Sequence, residues 1–255
     1  MLEALHEQAA GSLARELLGR GFAVVHGGFA MDALLAMREA AERCFHAVES
    51  DASTAERCGF NCYSHSVPLD ALAGFGCDAA MLMAPLAAPG LDSLIEAVMG
   101  SGWVCRMEHC WLRKKFAPRN APLSRYRTQG WHQDGALGVR FPRLGEDEMA
   151  SPKPGLEPSM TELVTVWIPL DACGRESPGL EFAGGRQARL LHYSELENEK
   201  LRRHFSEDEF QTPELAMGDG IIFLNSVLHR TYLRPEMERD RMSVEYRLFP
   251  KGGLF

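Results

Sequence analysis

The stretch Gly130-Trp131-His132-Gln133-Asp134-Gly135 sets an imidazole and a carboxylate two residues apart. On an extended strand side chains alternate, so His132 and Asp134 share one face and Gln133 takes the other. A nitrogen and an oxygen donor side by side can fill two neighbouring positions of an octahedral metal. A second histidine from a distant strand would complete the two-histidine, one-carboxylate triad of non-haem Fe(II) oxygenases. Three positions then stay open, two for a bidentate co-substrate and one for dioxygen. The spacing alone does not separate this arrangement from two polar residues in an ordinary turn.

The rest of the chain supplies the missing parts. His229 closes the apolar run GDGIIFLNSVLH, 97 residues beyond His132. A histidine ending a buried strand needs a carbonyl, a water or a metal as its partner. In ERDRMSVEYRLF, Arg239, Arg241 and Ser243 share parity and face inward on a strand. An arginine inside a barrel must meet an anion, and its planar fork suits a carboxylate. Arg241 with Ser243 could hold the distal carboxylate of 2-oxoglutarate; the alternative is a salt bridge to an acid at the barrel mouth. Thr128 and Gln129 are candidates for holding the ketoacid end.

These residues need a scaffold, and the apolar pattern indicates one. Helical spacing covers Leu2 to Leu18, Met31 to Val48 and Leu91 to Met99, with a short strand from Phe22 to His26. The segment 49–90 reads as irregular. From Trp103 the texture becomes strand-like: WVCRMEHCWLRKK, LVTVWIPLDAC, GLEFAGG, GIIFLNSVLH and RMSVEYRLF. Many short strands with Gly and Pro turns predict a mainly β jelly roll with helices packed outside. The expected organisation is a single domain over 1–255, with mostly helical support in 1–100 and the β core in 101–255. The polar, Pro-rich interruption at 141–161 reads as a lid over the barrel mouth.

Bulk properties narrow the function. Apolar residues at 45% and charged residues at 24% exclude a disordered chain. A formal charge of −8 argues against nucleic acid as partner. The charge is uneven: segment 101–145 holds nine Lys and Arg against Glu108 and Asp134, which makes it a solvated face or an entrance for an anionic substrate. Seven cysteines without framework spacing suggest reduced thiols in the cytoplasm. Cys58 and Cys62 lack the second ligand pair that a zinc site needs. No run reaches the ~20 apolar residues of a membrane span, so no membrane partner is expected. Oligomeric state, monomer or homodimer, stays open.

Taken in order, WHQD, VTVWIPLD, PGLEFAGGRQ, MGDGIIFLNSVLHRT and RMSVEYR resemble the phytanoyl-CoA dioxygenase family of Fe(II)/2-oxoglutarate oxygenases, over most of the chain from GFAVVHGGF onward. The resemblance implies a double-stranded β-helix, iron ligands His132, Asp134 and His229, and Arg241 as the 2-oxoglutarate anchor with Arg239 as its rival. AGGRQ stands where many relatives have PGSHR. The implied reaction couples oxidative decarboxylation of 2-oxoglutarate by O2 to hydroxylation of a small molecule. Related halogenases lack the acid that Asp134 provides; desaturation, epoxidation and ring formation remain other outcomes. A cupin-type metalloenzyme without 2-oxoglutarate and a non-catalytic jelly-roll binding protein are the competing readings.

Overall fold

The switch from helical to alternating periodicity near residue 100 is what the chain obeys. The computed structural model describes residues 2–100, 102–122, 126–139 and 159–252, with side chains from residue 11 onward. Helices α1 (Leu2–Arg20), α2 (Met31–Ser50), α3 (Ala52–Arg57), α4 (Ala79–Met83) and α5 (Leu91–Met99) precede most of the sheet, and α6 (Asn198–His204) lies within it. The strands are β1 (Phe22–Val25), β2 (Ser66–Pro68), β3 (Trp103–Cys105), β4 (Trp111–Lys115), β5 (Val164–Pro169), β6 (Gly179–Arg186), β7 (Phe210–Gln211), β8 (Gly220–Leu224), β9 (Val227–Tyr232) and β10 (Arg241–Pro250).

They form two antiparallel sheets. The large one runs β1-β8-β5-β10-β4-β2, with β3 also pairing with β10; the small one runs β7-β6-β9. The apolar core lies on the outer face of the large sheet. There Met242, Val244, Tyr246 and Leu248 of β10 join Leu34, Met37, Ala41 and Phe45 of α2 in one buried cluster. The Tyr246 hydroxyl is the polar exception on that face, and it donates to Leu82 O at 2.7 Å. Opposite parity turns Arg241, Ser243, Glu245 and Arg247 toward the small sheet. The sheets meet through rings: Phe182 of β6 stacks on Phe22 of β1 with centroids 4.2 Å apart and meets Phe223 of β8 at 5.6 Å.

Three sequence expectations change. GIIFLNSVLH is two strands in different sheets, because the chain crosses between them at Asn225-Ser226; His229 therefore sits inside β9 and does not end a strand. WVCRMEHCWLRKK is also two strands, interrupted by a 3-10 turn at Met107–His109. Segment 49–90 holds short helices, 3-10 turns and strand β2; of its helices, α3 and α4 are capped, Asp51 accepting from Thr54 N and Asp78 from Met81 N, the usual way a short helix satisfies its first amides. The expected lid at 141–161 lies outside the described residues apart from its last three. There Thr161 is pinned, its N–H donating to Gly135 O at 2.9 Å and its hydroxyl to Leu137 O at 2.7 Å.

The AGGR departure has a structural meaning. Register along β6 shifts between Ala183 and Arg186, so Gly184 and Gly185 form a bulge, with φ of 63° and 62°. A Cβ on Gly184 would fall 2.1 Å from the Phe205 ring. Gly184→Ala should therefore lose about 3 kcal/mol, from the left-handed conformation and the clash together. Urea unfolding measures it.

Candidate metal centre and its cavity

Strand β9 carries His229, and the chain at His132 pairs with it in a single antiparallel bridge: each backbone N–H donates to the other's carbonyl at 3.0 Å. This pairing brings the imidazoles to a centroid distance of 4.1 Å. Each ring is oriented by its own strand. His132 Nδ1 lies 2.8 Å from Gly130 O, and His229 Nδ1 lies 3.2 Å from Val227 O. A carbonyl can only accept, so Nδ1 carries a proton in both rings and Nε2 is the atom each ring can offer to a metal.

Asp134 is not on a strand, contrary to the alternation argument. Gln133 is extended, and Asp134 then opens a 3-10 turn to Ala136. The turn is held by Gly135 N donating to Asn225 O at 2.8 Å, and a Cβ on Gly135 would meet that same oxygen at 3.0 Å. Gln133 does face away: its amide donates to Ser226 O and Arg189 O and accepts from Leu191 N. The result still gathers the triad. Asp134 Oδ1 lies 3.9 Å from His132 Nε2 and 3.9 Å from His229 Nε2, and the donor atoms all fall within 4.8 Å of one another. It is the one group of such ligands among the described residues, and Cys58 and Cys62 are not part of any.

The carboxylate is held by a cross-strand pair. Arg247 of β10 stands opposite Thr165 of β5. Thr165 donates its hydroxyl to Asp134 Oδ2 at 2.5 Å, and Arg247 Nη2 donates to Oδ1 at 3.0 Å. Arg247 also meets Glu245 at 2.6 Å, and Glu245 in turn holds Arg113 at 2.8 Å. Burial alone would push the Asp134 carboxyl up; Arg247, the two histidines and the Thr165 bond outweigh it and leave the group well below the usual range. Burial, with His132 beside it, pulls His229 down to about 4. The site thus presents an ionised carboxylate and a neutral buried imidazole, both forms in which these groups bind metals.

One cavity touches both histidines and Arg241. Arg241 is 1% exposed, its Nε donates to Pro178 O, its Nη1 donates to Ser243 Oγ, and its guanidinium stacks 4.8 Å over Trp167. Among the described residues no carboxylate lies within ion-pair distance of it, so the barrel-mouth salt bridge is not formed. Arg239 lies outside, exposed and paired with Glu176 at 3.4 Å. Gln129 lines the cavity, whereas Thr128 is exposed and outside its lining. Thr165, Glu245, Arg247, Arg113 and Lys115 were missed. The parity that singled out Arg241 and Ser243 continues to Glu245 and Arg247, and the same test on VTVWIP and WLRKK picks out Thr165, Arg113 and Lys115. Arg113 and Lys115, counted as part of a basic face, are interior.

Two facing antiparallel sheets with a His-Asp-His cluster between them make a double-stranded β-helix whose interior gathers three side chains that could hold a metal ion. No protein-family model and no curated protein matches the sequence. Solved structures do share the fold. The non-heme alpha ketoglutarate dependent carbocyclase SnoK from nogalamycin biosynthesis aligns over 96% of this chain and 85% of its own, with a TM-score of 0.61 at 13% identity. AviO1 from Streptomyces viridochromogenes Tue57 aligns over 96% and 97%, with 0.60 at 16%. EctD from S. alaskensis, solved with 2-oxoglutarate and 5-hydroxyectoine, aligns over 93% and 74%, with 0.60 at 15%.

Two outcomes test this geometry. Thr165→Val leaves one carboxylate oxygen unsatisfied and should weaken binding of a divalent metal about tenfold; Co(II) titration followed by its visible bands reads the change. In metal-free protein, His229 is neutral when folded down to about pH 4 but protonates near 6.5 when unfolded. Its depressed value contributes stability above pH 6.5, and roughly 3 kcal/mol should be lost between pH 6.5 and 4. Asp134 stays ionised throughout that window, so thermal melts of His229→Gln should show a shallower slope there.

Proposed function

We propose that this chain is an Fe(II)- and 2-oxoglutarate-dependent dioxygenase of the phytanoyl-CoA dioxygenase type, hydroxylating a small metabolite. One observation carries the reading: two imidazole Nε2 atoms and one carboxylate oxygen converge beside a cavity whose other end is a buried arginine with no acid to balance it. That pairing of features complements a divalent metal and a dicarboxylate at once. The donor set fits iron, since nitrogen and oxygen donors occupy one side and leave the other free. His132, Asp134 and His229 would hold the metal. Arg241, with Ser243 orienting it, would hold the distal carboxylate of 2-oxoglutarate. Bound iron would supply the activation of O2 coupled to decarboxylation of the co-substrate.

The chain's own residues do the remaining work. Trp167, Leu180 and Phe223 wall the cavity and exclude water from it. The His132 side chain is 32% exposed against 3% for Asp134 and 5% for His229, so the substrate approaches from the His132 side. The charge of segment 101–145 favours an anionic substrate, and its exposed Arg127 has no acid within ion-pair distance among the described residues. Structural neighbours include a carbocyclase and an epimerase, SnoN, so the same site chemistry serves outcomes besides hydroxylation. Seven free thiols favour a cytoplasmic setting. Among the described residues no single helix is long and apolar enough to cross a membrane.

The test is an anaerobic titration of metal-free protein with Fe(II) and 2-oxoglutarate, watching for the visible charge-transfer band of the chelate. The band should appear in the parent protein, vanish in His132→Ala, and require at least about tenfold more 2-oxoglutarate in Arg241→Met, the cost of one charge-assisted bond. Folded protein that binds iron and gives no band sinks the reading.

A further inference from the structure

Strands β4 and β10 pair so that Lys115 stands directly opposite Arg241, and both side chains line the cavity between the sheets. Each is 1% exposed. Like charges directly opposed on one sheet face are destabilising, and burial removes the water that would screen them. The surroundings do not neutralise the pair. On the inner face of β4, Arg113 is committed to Glu245, which is shared with Arg247 of β10. Lys115 Nζ donates to Ser64 O at 2.8 Å and stands 5.6 Å from the Tyr126 ring centre. His65, beside Ser64, directs its Nε2 to Glu49 instead. Among the described residues no carboxylate lies within ion-pair distance of Lys115 or Arg241. Two buried basic side chains therefore stand opposite one another with no acid beside them to balance their charge.

We propose that Lys115 and Arg241 together form a two-cation seat for one carboxylate, the distal carboxylate of the dicarboxylate co-substrate, and that Lys115 takes up a proton as that carboxylate arrives. This rests on the 2-oxoglutarate reading and adds to it a second anchor whose charge depends on occupancy. Burial, with Arg113 and Arg241 alongside, pulls the lysine down to about 7, against the opposing pull of Glu245. The Tyr126 phenol, itself pushed up by burial, stays neutral and adds no charge. A carboxylate between the cations favours the ammonium and reverses the depression. Lys115 is then mostly neutral in the empty protein at pH 8 and charged in the complex, so binding consumes a proton and affinity falls as pH rises above about 7.

Calorimetric titration of 2-oxoglutarate into anaerobic, iron-loaded protein, repeated in two buffers of different ionisation enthalpy, measures that proton directly. The parent should take up close to one proton at pH 8 and only about a tenth of one at pH 6, from the ionisation of a group at pH 7. Lys115→Met, nearly the same length, should bind about tenfold more weakly at pH 6 and lose the proton uptake; Lys115→Arg should keep the affinity at pH 8 without the uptake. A lysine with only a packing role would lower the melting temperature of Lys115→Met and leave the proton count unchanged. The inference is overturned if the parent takes up no proton, or if Lys115→Met matches the parent in affinity and uptake while Arg241→Met still loses binding. That second pattern leaves the oxygenase reading standing; absence of 2-oxoglutarate binding in every protein, parent included, removes both.

Discussion

A carboxylate that must stay ionised away from water needs a cation within hydrogen-bond reach, and Asp134 has that cation in Arg247. Everything between the two sheets follows from meeting this requirement. Arg247 is itself buried and is balanced on its other side by Glu245, which is balanced by Arg113. Arg113, Glu245 and Arg247 alternate in sign along the inner faces of β4 and β10, and the series ends at the Asp134 carboxylate. Removing any one member leaves an uncompensated buried charge. The chain of charges fixes the carboxylate in place before any metal binds, while the Nδ1 bonds to Gly130 and Val227 fix the imidazoles.

Such an interior is possible because the fold keeps its apolar core elsewhere. Helix α2 and its neighbours cover the outer face of the large sheet, where β5, β8 and β10 put their aliphatic residues. Stability is drawn from that layer, so the inner face is free to carry polar groups. Around the triad the apolar contribution comes from a few rings: Phe182 stacks against Phe22, and Phe223 lies 4.5 Å from His229 between ring centres. These rings keep water from the histidine that is most deeply buried, which is why its neutral form is favoured.

The triad and the fold class were legible because they depend on patterns with a short range. HQD places two ligand types two apart, the apolar run before His229 marks burial, and strand alternation marks a face. What escaped depends on the third dimension. Asn225-Ser226 reads as part of an apolar strand, yet it carries the chain from one sheet to the other; two turn-forming residues inside a long apolar run are too brief a mark to break it. Asp134 reads as strand by alternation, yet it opens a turn, because Asn225 O from that same crossing captures the Gly135 amide. The helices within 49–90 are too short to show a periodicity, and their start signals are the Asp51 and Asp78 caps.

The arginines that share parity in ERDRMSVEYR show where sequence reasoning ends. Arg239, Arg241 and Arg247 look equivalent by alternation. Arg239 precedes the strand, so it reaches solvent and pairs with Glu176. Arg247 lies opposite Thr165, and that neighbour brings it onto Asp134. Arg241 lies opposite Lys115, a second basic group, and among the described residues has no acid within ion-pair distance. Parity gives the face a side chain turns to; the strand across from it decides whether the charge is solvated, paired with a buried acid, or left without one. Strand order and register are set by long-range pairing, and no local pattern in the sequence encodes them.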